Sequence, residues 1–178
     1  MERLRLKRTR DVIGLPVICV QTGKQVGAVK DVLLDGEWQV RAFILSDGHW
    51  FQEANGVEWE GVIAVGDDAV TIEREDLIKP LEAADSWRML LGGSRRIKGL
   101  PLVTVNGHQL GIVDDVYLDE ESGRKVIGYE VTEGFISDLK EGRKWLPMPD
   151  SVKVGEDALI VPVHASEALE EIFVPKEE

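Results

Sequence analysis

His49, His108 and His164 are scattered along the 178-residue chain with no cysteine or second histidine at ligand spacing. Zinc requires three or four convergent ligands, so these histidines read as exposed or structural, and no metal is expected. The acidic residues are better organised. Asp31 and Asp35 recur as Asp115 and Asp119, and Asp114, Glu120 and Glu121 add charge beside the second pair. They lack the alternating oxygen ligands and central glycine of a calcium loop, and so read as polar strand positions and turn-forming aspartates. Cys19 lies in an apolar run without a nearby histidine and reads as a buried thiol rather than a nucleophile. Ser46, Ser137 and Ser151 sit in no strand-to-helix elbow, and the glycines occur singly rather than as a phosphate-cradling loop. No catalytic residue and no cofactor is expected, and the chain reads as non-enzymatic.

Residues suited to binding are easier to find. Arg3, Arg5 and Lys7 alternate with Leu4 and Leu6, so a strand there is basic on one face and apolar on the other. Either this is the charged, protected face of an edge strand or it is a local contact for an anion or RNA. Five tryptophans are many for this length, and aromatics are enriched in interface cores. Trp50 and Phe51 are adjacent in a strand pattern and point to opposite faces. Together with Trp87, between the two halves, they are the best aromatic candidates for a partner surface. Trp59 and Trp145 occupy comparable late-strand positions and read as core.

The elements that must position these residues follow from composition and pattern. At 43% hydrophobic and 30% charged residues, the chain has the makeup of an ordinary globular protein. No apolar run reaches the roughly 18 to 20 residues of a membrane span, and the basic start has no apolar signal stretch behind it. The lone cysteine fits a reducing compartment, so a cytoplasmic location is expected. A net charge of −12 opposes general nucleic-acid binding.

The chain then repeats itself. Gly14-Leu15-Pro16-Val17 matches Gly99-Leu100-Pro101-Leu102, and the run from Gln25 to Asp35 falls on that from Gln109 to Asp119. Val65 to Val70 matches Val154 to Leu159. Each copy opens with a proline at a strand start and a hairpin turn at Thr22-Gly23 or Asn106-Gly107. Gly27 and Gly111 lie within the second strand, where glycine marks a bulge or a close backbone approach. Downstream of Gly27, Val29, Asp31 and Leu33 are expected on one face, with Val32 and Leu34 on the other. A third strand follows at Val40 to Leu45 and at Val126 to Val131. Acidic turns at Gly66-Asp67-Asp68 and Gly155-Glu156-Asp157 close the last hairpins. Two segments break the β pattern. Leu81 to Leu91 suggests a short linker helix ended by Gly92-Gly93. Ser166 to Phe173 suggests a short C-terminal helix with a serine cap.

The order Gly-Leu-Pro-Val, turn, Val-Gly-x-Val-x-Asp-Val-x-Leu-Asp and strand resembles the PRC-barrel family across both copies. That family includes the cytoplasmic domain of the photosynthetic reaction-centre H subunit and the C-terminal domain of the bacterial ribosome-maturation factor M. Tandem pairs resemble uncharacterised PRC-barrel proteins of Gram-positive bacteria. The resemblance implies a mainly β fold of two tandem small antiparallel PRC-type β-barrels. The expected layout is 1–79 first barrel, 80–94 linker, 95–165 second barrel and 166–178 C-terminal helix and tail. It also implies a binding module: a protein-binding adaptor, with self-association as one option, an RNA- or ribosome-associated assembly factor as the alternative and a small-ligand binder or enzyme as the third reading. Function is then expected in what the copies do not share: the basic first strand, the Trp87 linker, the Glu133 to Arg143 insertion and the C-terminal helix.

Overall fold

Each copy begins with the same hairpin, built by the same residues. The structure, a computed structural model, describes residues 7–46, 55–82, 84–133 and 143–171. After a two-residue strand β1 (Lys7–Arg8), strand β2 (Pro16–Cys19) pairs antiparallel with β3 (Gln25–Leu34), and later β10 (Pro101–Thr104) pairs with β11 (Gln109–Leu118). Both prolines are the first strand residue, where a missing N–H is harmless. The register of both hairpins shifts beside the glycine that pairs with Val17 or Leu102. A Cβ on Gly27 would come within 3.1 Å of the Ser46 carbonyl oxygen, and one on Gly111 would overlap Val131 and the Thr132 carbonyl. Those glycines let the next strand approach, as expected from the sequence.

The first copy continues through β4 (Val40–Ser46), β5 (Asn55–Glu58), β6 (Val62–Val65), β7 (Val70–Ile72), β8 (Ile78–Pro80) and β9 (Arg88–Met89). Its sheet order is β6-β7-β2-β3-β4-β5-β8, with β9 on β3. The second copy adds β12 (Val126–Thr132), β13 (Lys144–Pro147), β14 (Lys153–Val154), β15 (Leu159–Val161) and β16 (Glu170–Glu171), in the order β14-β15-β10-β11-β12-β13-β16. The fold is mainly β, with two curled sheets of the tandem barrel type. Contacts divide the chain into one unit of Met1–Arg96 with Leu118–Lys125 and another of Ile97–Tyr117 with Val126–Glu178. Inside the first, Val17, Val32, Leu34, Phe43, Val57 and Ile72 are almost fully buried; inside the second, Leu102, Val116, Tyr129, Val131, Leu146 and Leu159 are.

Several expectations need correction. The barrels are not wholly antiparallel, because β2 pairs parallel with β7 and β10 parallel with β15. In the first copy β5 and β6 are joined by a 3-10 corner, Trp59–Gly61, so the segment from Val57 to Val65 is two strands. The corner carries the chain onward in the same sense, and the β6–β7 hairpin then delivers β7 alongside β2. A bulge at Lys30 shifts the β3–β4 register between Val29 and Asp31. The expected alternation therefore breaks at the bulge, so that Val29 and Asp31 do not share a face, and Asp31, Val32, Leu33 and Leu34 are all buried.

No linker helix forms among the described residues of Leu81 to Leu91. The backbone donors there go elsewhere: β9 pairs with β3, Leu90 N–H donates to Val32 O at 3.0 Å, and Leu91 and Gly92 donate to the Asp31 carboxylate. A side-chain acceptor and an open strand edge outcompete the helical i−4 carbonyls. Among the described residues the expected C-terminal helix is replaced by a 3-10 segment, Val163–Ala168, preceded by Pro162 rather than capped by Ser166. The Ser166 hydroxyl donates to Val163 O at 3.0 Å, and the chain then straightens into β16, which pairs with β13.

Candidate functional site

The repeated aspartates are structural, and they work harder than a turn position requires. Asp31 is 4% exposed. Its Oδ1 accepts from Val32 N–H at 2.8 Å and Leu91 N–H at 3.0 Å, and its Oδ2 from Gly92 N–H at 2.8 Å. One buried carboxylate thus fastens the 90–92 segment to β3. Charged acceptors suit this task because their hydrogen bonds are roughly twice as strong as neutral ones. Asp115 repeats the bond to its own neighbour, with Oδ1 accepting from Val116 N–H at 2.8 Å. Asp35 organises the β3–β4 turn by accepting from Glu37 N–H and Gln39 N–H, while Arg41 Nε donates to its Oδ2 at 2.6 Å. That turn places Trp38 at φ 59°, a left-handed conformation uncommon outside glycine. Asp119 holds the corresponding turn through Glu121 N–H, with Gly123 at φ 67° in the left-handed position.

Other candidates disperse. Among the described residues no three His, Cys, Asp or Glu side chains gather to hold a metal. His108 and His164 are exposed, the latter 3.4 Å from Asp150. Cys19 is fully buried and its Sγ–H donates to Glu73 O at 3.4 Å. A hydrogen bond with the Thr22 side chain draws the thiol below its ordinary range, with burial acting the other way. Of the basic stripe, Lys7 donates to Val65 O at 2.9 Å and Gly66 O at 3.1 Å, so its ammonium anchors a hairpin end. Arg3, Arg5, Trp50, Phe51, His49 and Ser137 lie outside the described residues, as does the insertion from 134 to 142. Trp59 and Trp145 are not equivalent. Trp59 starts the 3-10 corner, 6.1 Å from the Phe43 ring, whereas Trp145 pairs with Glu130 at the register position that Gly56 takes opposite Ile44. Neither is fully buried.

Trp87 does line a site. In the first unit Leu33, Ile44, Leu81, Trp87 and Met89 wall a cavity of about 560 Å³, with Arg88, Ser94 and Arg95 at its polar side. The Arg41 guanidinium lies 5.7 Å from the Trp87 ring centroid, within cation–π range. Arg95 Nη1 donates to Asp85 O at 2.6 Å. The strap that Asp31 fixes, with Gly93 at φ 81°, forms one wall.

The corresponding strand positions of the second unit carry larger and more polar side chains. Tyr117 stands where the first copy has Leu33, Glu130 where it has Ile44 and Trp145 where it has Gly56. Tyr117 OH donates to Glu130 Oε2 at 2.9 Å, Arg143 Nη1 donates to Oε1 at 3.0 Å, and Trp145 meets Tyr117 edge-on at 4.7 Å. Glu130 is fully buried. This network was missed at the sequence level, although a signal existed. Glutamate interrupts an apolar strand at Glu130, and its repeat partner is isoleucine.

The comparisons agree with this architecture. The PRC-barrel domain model matches twice, over residues 5–78 and 93–168. The chain is also similar to "Uncharacterized protein YrrD" of Bacillus subtilis (strain 168), at 22% identity over 160 residues, covering 88% of this chain and 87% of that protein. With the same hairpin, bulge and acidic turn built twice and the family's pattern matched over both copies, the chain belongs to the PRC-barrel family.

Proposed function

We propose that this chain is a non-enzymatic protein-binding adaptor of the cytoplasm in which each barrel offers an equivalent contact. The observation that carries this reading is a repeated exposed valine. Val20 is 57% exposed and Val105 68% exposed, and they occupy the same repeat position just beyond β2 and β10. Both are held alike: Val20 N–H donates to Ile72 O at 2.8 Å, and Val105 N–H to Val161 O at 3.0 Å. A single exposed aliphatic residue is ordinary. One presented by the same backbone device in both copies is a duplicated feature, and two linked contacts raise avidity without any new contact. Asp31, Asp35 and Asp115, which also recur, are engaged in holding backbone, and among the described residues the two valines are the large apolar side chains exposed at the same position of both copies.

Affinity capture with the full chain and with Val20→Lys, Val105→Lys and the double variant tests this. A partner recovered by the wild type, weakened by either single change and lost with both, supports the adaptor. A reproducible interactome that is absent, or identical for all four proteins, overturns it. The RNA-associated alternative has no comparable support, because Lys7, the described member of the basic stripe, is engaged with Val65 and Gly66.

A further inference from the structure

We infer that the first-unit cavity is a binding site for a small uncharged aromatic molecule. Its volume of about 560 Å³ falls within the range of small-molecule pockets, and Leu33, Ile44, Leu81, Trp87 and Met89 wall it with apolar surface. The charges at its polar side are committed already. Arg88 is engaged. Arg95 lies exposed at the rim, where water screens its charge, and its Nη1 donates to Asp85 O at 2.6 Å. No carboxylate stands among the described lining residues. The interior thus offers a charged ligand no uncommitted partner, and desolvating a charge without one is costly. The aromatic preference comes from Trp87 and Met89, because an indole packs well against a second ring and a thioether sulfur against a ring edge. Both walls are held in place before a ligand arrives. Arg41, 5.7 Å from the Trp87 centroid, is tied to Asp35 at 2.6 Å, and the Asp31 carboxylate pins Leu91 and Gly92. Such preorganisation lowers the ordering cost of binding, and rigid apolar cavities accept guests such as benzene.

The internal duplication shows that this lining is not a demand of the fold. Where the second copy has Tyr117, Glu130 and Trp145, the first has Leu33, Ile44 and Gly56. Glu130 is fully buried, and Tyr117 and Arg143 both donate to it. The same strand frame therefore accepts an ionised group together with its partners. The first copy carries aliphatic side chains at two of these positions and none at the third. A Cβ at Gly56 would overlap Leu81, so the glycine is what admits Leu81 to the cavity wall. Each difference removes a polar group from the lining or adds an apolar one.

The test uses the full chain and four probes of matched shape: naphthylmethanol, naphthoate, naphthylmethylammonium and the saturated alcohol decalinylmethanol. Titration calorimetry reports affinity, proton–nitrogen correlation spectra report which indole N–H signal moves, and thermal unfolding confirms that each variant is folded. The expected result is saturable one-to-one binding of naphthylmethanol that shifts the Trp87 indole signal and leaves that of Trp145 in place. Both ions should bind roughly tenfold more weakly or worse, and decalinylmethanol about threefold more weakly. Trp87→Ala should weaken naphthylmethanol by about tenfold. Leu81→Trp, which fills the cavity from a half-exposed part of its wall, should abolish binding. Val105→Lys, in the second unit, should leave it unchanged, so the adaptor reading and this one fail separately. Absence of saturable naphthylmethanol binding to the wild type overturns the proposal. So does either ion or decalinylmethanol binding as tightly as naphthylmethanol, a Trp145 signal that moves in place of that of Trp87, or an affinity unchanged by Leu81→Trp.

Discussion

Two copies of one barrel module solve the same packing position in opposite ways. In the second unit a buried glutamate, a tyrosine, a tryptophan and a half-exposed arginine interlock across β11, β12 and β13. In the first unit two aliphatic residues and a glycine occupy the equivalent places, and a cavity walled by Trp87 remains. The scaffold around both is the same, with bulged hairpin, parallel closing strand and buried aspartate. Duplication frees one copy to keep a polar plug while the other opens. The shared residues thus set the scaffold, and the unshared ones at this position set what each barrel packs there.

The largest expected effect concerns the wall of the open copy. Asp31→Ala removes the acceptor for three backbone N–H groups and should cost about 4 kcal/mol in urea unfolding, since each buried unsatisfied donor costs about 1–3 kcal/mol. Asp31→Asn keeps one acceptor oxygen and should lose about half as much. Trp87 emission should shift red in the alanine variant as the strap detaches. If Asp31→Ala is as stable as the wild type, the buried carboxylate does not fasten the strap.

Next comes a pair that ranks the copies directly. Gly111→Ala forces a Cβ into Val131 and the Thr132 carbonyl, whereas at Gly27 the nearest atom is Ser46 O at 3.1 Å. Overpacking against backbone should cost Gly111→Ala about 3 kcal/mol and Gly27→Ala about 1 kcal/mol. Equal costs in urea midpoints would mean that the two bulges are equally tight.

These positions also show how far sequence carries. The glycines, prolines and acidic turns were legible because each meets a local backbone demand that a few neighbouring residues reveal. Asp31 was legible only as a recurring polar residue. Its burial depends on the Lys30 bulge and on amides sixty residues away, neither of which periodicity encodes. The linker helix was misread for a related reason. Trp87, Met89 and Leu90 offered a plausible helical face, but β3 presented a free edge and Asp31 a free carboxylate, so long-range acceptors decided the backbone. Trp59 and Trp145 looked equivalent by count along the chain, yet strand register sets Trp145 against Gly56. Trp87 was singled out as an aromatic and does line the cavity; that Leu33, Leu81 and Arg88 join it required the fold.

A smaller effect comes from converting the plug into the opening. Glu130→Ile installs the first copy's residue and removes the acceptor of Tyr117 and Arg143. Arg143 is 46% exposed and can turn to water, so the cost should be about 2 kcal/mol, below the 3–5 kcal/mol of breaking a wholly buried pair. Adding Tyr117→Leu should recover part of this loss, because the hydroxyl no longer lacks its partner. A double-mutant cycle should return a coupling of about 1 kcal/mol. A coupling of zero would mean that the plug is packing alone.

The smallest effect appears only in alkali and separates the units by one oxygen atom. Phe43 and Tyr129 occupy the same repeat position, and both are fully buried. Tyr129 OH donates to Met148 Sδ at 3.6 Å, and burial raises its pKa well above the ordinary value of 10.0. Below about pH 10 the folded and unfolded chains hold this proton equally, and the tyrosine adds no pH dependence. Above it the unfolded tyrosine ionises while the folded one stays neutral. The unfolded state then binds fewer protons, and stability falls by up to about 1.4 kcal/mol per pH unit until the folded group also titrates. Tyr129→Phe installs the residue of the first copy and should remove this loss while changing stability at pH 8 by about 1 kcal/mol or less. Urea midpoints from pH 8 to 11 should therefore diverge between wild type and variant only above pH 10. Parallel curves across that range would mean that the phenol reaches water in the folded chain, and that the two copies bury this position differently after all.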